Sequence, residues 1–412
     1  MTTAADLGPI FVHAAPRSGS TYFFNVLRRH ASLMCFEEPL SDIFGYWEKK
    51  GTAGFKERLK WDTNHQFLER DDFAEIIEAW DTVMPFYPPC LPYRNYLPPD
   101  GVLSPDLRAY LAALIEYAQS RGKRPTLCEV YSRGRVGALR DVFGGFHVAQ
   151  YRDPLSQFGS FFRTLPDAGE WHFLVFPLME LGLNGDHPLY SIIPEAWRLP
   201  VLPWPDNDKA QRWATAARYK AIAAAPRSDM IEKLFRWHLF SWLLSNLAAI
   251  SYSDFILDID KAHDEASYRQ SVVDAFRSTC GITLDFSDLT KFSRYYEFEG
   301  VDMAAVCDQV ETVIRRALQD GRLEQAVLTL GSRPPTVHLQ KALEMLFAKI
   351  HDSLSTMAAS TDRRYVTTED WRIIAGKHRL IWFNPLVREV AQRAHPFVSP
   401  ILRAARRAGF LH

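Results

Sequence analysis

The sequence predicts an α/β fold: a central, mostly parallel sheet flanked by helices, with helical additions. Three observations carry this. Short apolar runs closed by turn residues recur at 9–15, 126–131 and 146–151. Stretches with helical spacing of apolar residues lie between them, as crossover connections require. No internal repeat or low-complexity linker divides the chain, so one α/β domain over 1–300 is expected, with a helical extension over 301–412 packed on it.

The first run, 9–15, ends at Pro16 and Gly19 and reads as a buried strand. Ser20 or Thr21 then opens a helix with Phe23, Phe24 and Leu27 on one face. A second strand is expected at 32–36. The stretch 41–105 is rich in aromatics and prolines without a clean period, as an insertion of helices and loops over the core edge would be. A helix follows at 106–118, striped by Leu107, Tyr110, Leu111 and Leu114. Then come a strand at 126–131, a short helix at 136–142 and a strand at 146–151. Asp153-Pro154 suits the start of the next helix. Over 165–228 the pattern weakens and Trp171, Trp197, Trp204 and Trp213 sit among turn residues, which reads as an insertion or lid. A long helix at 230–249, a strand at 255–258 and a helix at 267–278 complete the domain, and residues from 302 onward read as mostly helical.

Lys+Arg 48 against Asp+Glu 49 leaves no global field to attract nucleic acid or a membrane, so any anion site must be local. The five cysteines are odd in number, scattered and without CxxC spacing. That argues against a disulfide framework or a zinc site and suits a reducing compartment. The N-terminus carries neither a basic segment nor a long apolar stretch, and the most apolar helix candidate, 238–250, is too short to span a bilayer. A cytoplasmic location is expected.

Ala15-Pro16-Arg17-Ser18-Gly19-Ser20-Thr21 lies between a strand and a helix. Gly19 permits a tight turn, the N–H groups running into the helix can surround a phosphate, and Arg17 adds a fixed positive fork. The plainer reading is a strand-to-helix turn with an N-cap serine. A kinase loop, GxxxxGK[ST], needs lysine after the last glycine. Here serine stands there and the cation precedes the glycine, which disfavours the alternative of a nucleotide kinase or phosphotransferase. A second candidate anion site is Arg152, at the end of the 146–151 strand, with Ser160 about two turns into the following helix. Its plainer reading is a surface arginine paired with Asp153.

Together the two segments resemble the two PAPS-binding motifs of the sulfotransferase superfamily. PRSGST resembles the 5'-phosphosulfate loop of carbohydrate and tyrosylprotein sulfotransferases. Arg152 followed eight residues later by Ser160 resembles the 3'-phosphate motif. The likeness is good over 9–164, looser over 230–289, and absent beyond about 300. It implies a P-loop-like three-layer fold. It also implies that Arg17, Ser18, Gly19, Ser20 and Thr21 hold the 5'-phosphosulfate, and Arg152 and Ser160 the 3'-phosphate. The donor would be PAPS and the product PAP, and no metal is needed in that scheme.

Sulfuryl transfer, like phosphoryl transfer, runs in line through a loose transition state, so charge neutralisation and positioning dominate. Arg17 would stabilise the leaving phosphate, and the acceptor hydroxyl needs a base. The first helix leads away from the loop and the second strand returns, bringing Glu37 and Glu38 to the same sheet edge. Cys35-Phe36-Glu37-Glu38-Pro39 resembles the element that carries the proposed glutamate base in that subset. Matched to it, the base is Glu38, with Glu37 the near alternative. The stretch after the third strand, where small-molecule sulfotransferases carry a histidine, reads Glu129-Val130-Tyr131-Ser132-Arg133 and holds none. His13 reads as a packed strand residue, and His172 on the lid stays open as a catalyst. A glycan or other alcohol is the expected acceptor, with a phenol also open. The arginine-rich stretch 386–412 is either a membrane-touching segment or a solvated helix on the protein's own core.

Overall fold

The computed structural model describes residues 7–41, 73–88, 90–163, 171–206, 208–290 and 295–383, together with Phe44, Thr52 and Leu165. Five short strands form one all-parallel sheet: β1 (Ile10–His13), β2 (Leu33–Glu37), β3 (Arg124–Glu129), β4 (Phe146–Tyr151) and β5 (Phe255–Asp258). Their order is β2-β3-β1-β4-β5. Ile10 pairs with Thr126 on one side and Phe146 on the other, so β1 is central and its loop emerges mid-edge. Parallel pairing puts every strand's C-terminal end on that one edge, where ligands of open α/β sheets collect. The expected α/β class, parallel sheet and flanking helices are all present. One placement differs: β3 lies between β1 and β2, so the end of β2 stands two strand spacings, about 10 Å, from the β1 loop rather than beside it.

Strand residues alternate between two helical layers. Ile10, Val12, Cys35 and Val148 face α1 (Ser20–Arg28) and α10 (Ala266–Cys280), where Phe23 meets Phe276 edge-on at 5.8 Å. Phe11, Phe36 and Leu127 face α2 (Ala74–Val83), α3 (Pro105–Ser120) and α4 (Val136–Phe143). The long α8 (Met230–Tyr252) runs against β4 in the same layer and is buried along almost its whole length. No described helix is long and apolar enough to cross a membrane.

Two stretches hold more detail than the sequence reading gave. The segment expected to be an insertion or lid contains α6 (His172–Leu183) and α7 (Lys209–Ala223). Residues Phe173 to Gly182 of α6 are all buried, so its apolar residues run right round and no 3.6-residue stripe exists to be read. Trp171 is buried against Trp371, whereas Trp213 is 40% exposed. The extension holds α11 (Met303–Gln319), α12 (Arg322–Leu328), α13 (Leu339–Ala359) and α14 (Thr368–Phe383), and α11 and α13 both pack on α8. Its β7 (Arg363–Val366) pairs in parallel with β6 (Tyr295–Phe298), which lies just before the extension. β7 is largely exposed, so it carries no apolar alternation. The arginine-rich stretch 386–412 lies outside the described residues.

Candidate functional site

The loop after β1 is a tight turn closed by its own serine. Ser18 donates its hydroxyl to the Ala15 carbonyl at 2.7 Å and its N–H to the same oxygen at 3.2 Å. That hydroxyl, fully buried, is spent inside the loop. Gly19, with φ 83°, is the N-cap of α1, and no side chain caps the helix, so the expected N-cap serine does not take up the first-turn N–H groups. Two glutamines hold the loop from below. Gln150 Nε2 donates to the Ser18 carbonyl at 2.9 Å, and Gln157 Nε2 to that of Pro16 at 2.6 Å.

Arg152 leaves the end of β4 and reaches this loop. Its Nη1 donates to the Arg17 carbonyl at 3.2 Å and its Nη2 to Ser156 Oγ at 3.0 Å. Arg17 Nε in turn donates to Ser160 Oγ at 3.2 Å, with its guanidinium over the Phe173 ring at 5.2 Å. Both arginines and Ser160 therefore share one site. The hydroxyl that meets Arg152 is that of Ser156, one turn into α5 (Pro154–Arg163), while Ser160, two turns in, meets Arg17.

Behind Arg152 lies a charged network anchored in the extension. Asp260 Oδ1 stands 3.6 Å from Arg152 Nε, and its Oδ2 accepts the Asp153 N–H at 2.7 Å. Lys349 of α13 bridges Asp258 at 2.8 Å and Asp260 at 3.1 Å. Burial opposes its charge, but the two carboxylates outweigh that and hold the ammonium protonated. Ser353 and Tyr295 donate hydroxyls to Asp153.

At the end of β2 the two glutamates separate. Glu37 is 1% exposed, turned into the same layer as Cys35 and Cys128, whereas Glu38 is half-buried at the edge with φ 41°. Among the described residues only Arg17, Glu38, Asn95 and Asp100 are non-glycine with positive φ. Asn and Asp tolerate that region, but arginine and glutamate adopt it at a cost, and such strain concentrates at functional sites. Glu129, at the end of β3 and 3% exposed, accepts the N–H of Leu40 and, at 3.4 Å, that of Tyr131. Burial and then the Glu38 charge raise its carboxyl from 4.5 to about 8, against the Leu40 N–H.

His13 lies in a buried chain: Ser132 Oγ at 2.7 Å, then His13, then His147 Nδ1 at 3.0 Å, whose Nε2 meets the Gly144 carbonyl at 2.9 Å. That carbonyl can only accept, so His147 Nε2 carries a proton, His13 Nε2 donates to His147 Nδ1, and Ser132 donates to His13. Burial holds both rings neutral, His147 at about 4. His13 is thus a packed strand residue. His172 is exposed at the start of α6 with its ring 3.8 Å from that of Phe173. α6 itself is held over the sheet edge by a buried ion pair, Glu180 to Arg133 at 3.0 Å. Among the described residues no group of three or more His, Cys, Asp or Glu could hold a metal.

The arrangement gathers two arginine side chains and an uncapped helix N-terminus at one place on the sheet edge, with a carboxylate on the same edge. Sequence reasoning did not find Gln150, Gln157, Ser156, Phe173, Glu129, Asp260 or Lys349. Gln150 gave a signal, as an amide within an apolar strand two residues before Arg152. Compared with family models, curated proteins and solved structures, the chain matches none of them.

Proposed function

We propose that this chain is an enzyme, a sulfotransferase that moves the sulfuryl group of PAPS to an acceptor hydroxyl of a carbohydrate or other alcohol. The observation that carries the reading is the meeting of Arg152 and Arg17: a 3.2 Å bond from one guanidinium to the other residue's carbonyl, at the start of α1. Two phosphate-sized anions on one nucleotide, as in PAP, match two adjacent guanidiniums. The first-turn N–H groups of α1 and Arg17 would take the 5'-phosphosulfate. Arg152, backed by Asp260, with Ser156 beside it, would take the 3'-phosphate. Ser160 then serves by fixing the fork of Arg17.

In the reaction the acceptor oxygen forms a bond to sulfur as the bond from sulfur to the 5'-phosphate oxygen breaks. The acceptor proton passes to Glu38, and Arg17 neutralises the charge left on PAP. A panel of alcohols and glycans with radiolabelled PAPS tests this. Glu38→Gln should lower turnover by about 10²–10⁴-fold while PAP still binds. Wild-type turnover in that variant would remove Glu38 from the reaction, and wild-type protein that transfers nothing from PAPS would refute the reading.

A further inference from the structure

We infer that Glu129 is the positioning residue for Glu38: its buried carboxyl clamps the strained turn that presents the base. The inference rests on the sulfotransferase reading above for the role of Glu38, but the clamp is visible in the turn itself. From 38 to 41 nearly every backbone group is tied down. Glu38 N–H donates to the Cys128 carbonyl at 2.8 Å, and Ser41 N–H to the Glu38 carbonyl at 2.8 Å. Tyr110 donates its hydroxyl to the Pro39 carbonyl at 2.8 Å, and Tyr87 to that of Ser41 at 2.7 Å. Leu40 N–H is the remaining donor, and Glu129 Oε1 accepts it.

A side chain from the neighbouring strand therefore supplies the bond that keeps Glu38 at φ 41°. Without it the turn would relax towards negative φ and swing the carboxylate away. The charges around Glu129 fit the same role. Glu38 raises its proton affinity, Arg135 opposes, and Tyr110 stands against it from α3. Burial first and the neighbouring Glu38 charge lift the Glu129 carboxyl to about 8, so at neutral pH it faces the Leu40 N–H largely protonated.

The test uses E129A and E129Q in the full chain, each first checked for a wild-type melting transition. Glutamine keeps a carbonyl oxygen for Leu40 and imitates the protonated carboxyl; alanine keeps neither. In E129A the Leu40 amide should lose hydrogen-exchange protection. Its kcat should fall about a hundredfold, as expected for a misplaced catalytic group, with KM for PAPS and PAP affinity held within about twofold. E129Q should restore Leu40 protection and most of kcat. Unchanged Leu40 protection in E129A overturns the clamp whether or not the protein is a sulfotransferase. Loss of kcat and PAP affinity together, or equal damage in E129A and E129Q, overturns the positioning role. Should E129A fail to fold, kcat in E129Q below a tenth of wild type at unchanged Leu40 protection overturns it instead. A wild-type protein inert towards PAPS would refute the functional reading and leave the exchange measurement standing.

Discussion

Replacing Lys349 with methionine should damage both stability and anion binding, although the residue lies far along the chain from Arg152. Its Nζ stands 2.8 and 2.9 Å from the two oxygens of Asp258 and 3.1 Å from Asp260, with all three side chains at 9–10% exposure. Methionine fills the same space but removes the cation, leaving two carboxylates that are each only about a tenth exposed, with Arg152 at 3.6 Å as the charge beside Asp260. Removing one partner of a buried pair costs about 3–5 kcal/mol, a large part of the roughly 5–15 kcal/mol that holds a domain folded. Arg152 would also be drawn towards Asp260 and away from the loop, and a loss of about 1.4 kcal/mol there is tenfold in PAP affinity. Urea unfolding followed by circular dichroism reads the first effect and calorimetric PAP titration the second. Lys349→Arg, which keeps the charge, should recover most of both. A Lys349→Met protein within about 1 kcal/mol of wild type would refute the reasoning, because the two aspartates would then not depend on that ammonium.

Three further outcomes are expected. Ser160→Ala leaves Arg17 Nε without its 3.2 Å acceptor; losing one such bond, about 0.5–1.5 kcal/mol, should weaken PAP by about 2- to 10-fold, and unchanged affinity would mean that Ser160 does not orient Arg17. Glu180→Ala strands the buried Arg133 guanidinium and should cost about 3–5 kcal/mol in urea unfolding, whereas a change below about 1 kcal/mol would mean that α6 is held by packing alone. Stability should also depend on pH through two buried groups of opposite sign. His147 is lowered from 6.5 to about 4, so its contribution is lost as pH falls through that window. Glu129 is raised from 4.5 to about 8, so its contribution is present in acid and lost as pH rises towards 8. Melting temperatures of His147→Gln and Glu129→Gln, subtracted from wild type across pH 4–8, should therefore slope in opposite directions, and parallel differences would contradict the assignment.

The sheet was legible because most of its strands carry a short apolar run near a turn residue, although β3 (Arg124–Glu129) begins and ends two residues before the run expected at 126–131. The runs at 146–151 and 255–258 match β4 and β5 residue for residue. The strand order was not legible, since nothing local in Cys35-Phe36-Glu37-Glu38 records that β3 inserts between β1 and β2. α6 escaped because a helix buried on all sides has no polar face, and Pro177 within it resembles a loop signal. Arg17, Arg152 and Glu38 were readable because each stands where a strand ends. Their supports were not. Asp260 and Lys349 come from β5's end and from α13, and only folding brings them behind Arg152. Likewise Glu129 became meaningful only once its carboxyl was seen to accept the Leu40 N–H.

Titrating the full-length protein with PAP and, separately, with ATP and magnesium tests the central claim most directly, provided Arg17→Ala and Arg152→Ala are measured alongside. PAP should bind wild type saturably, each single variant should weaken it, and ATP with magnesium should not compete. Tight ATP–magnesium binding, or PAP affinity untouched by both substitutions, would contradict the assignment of these two guanidiniums to one nucleotide.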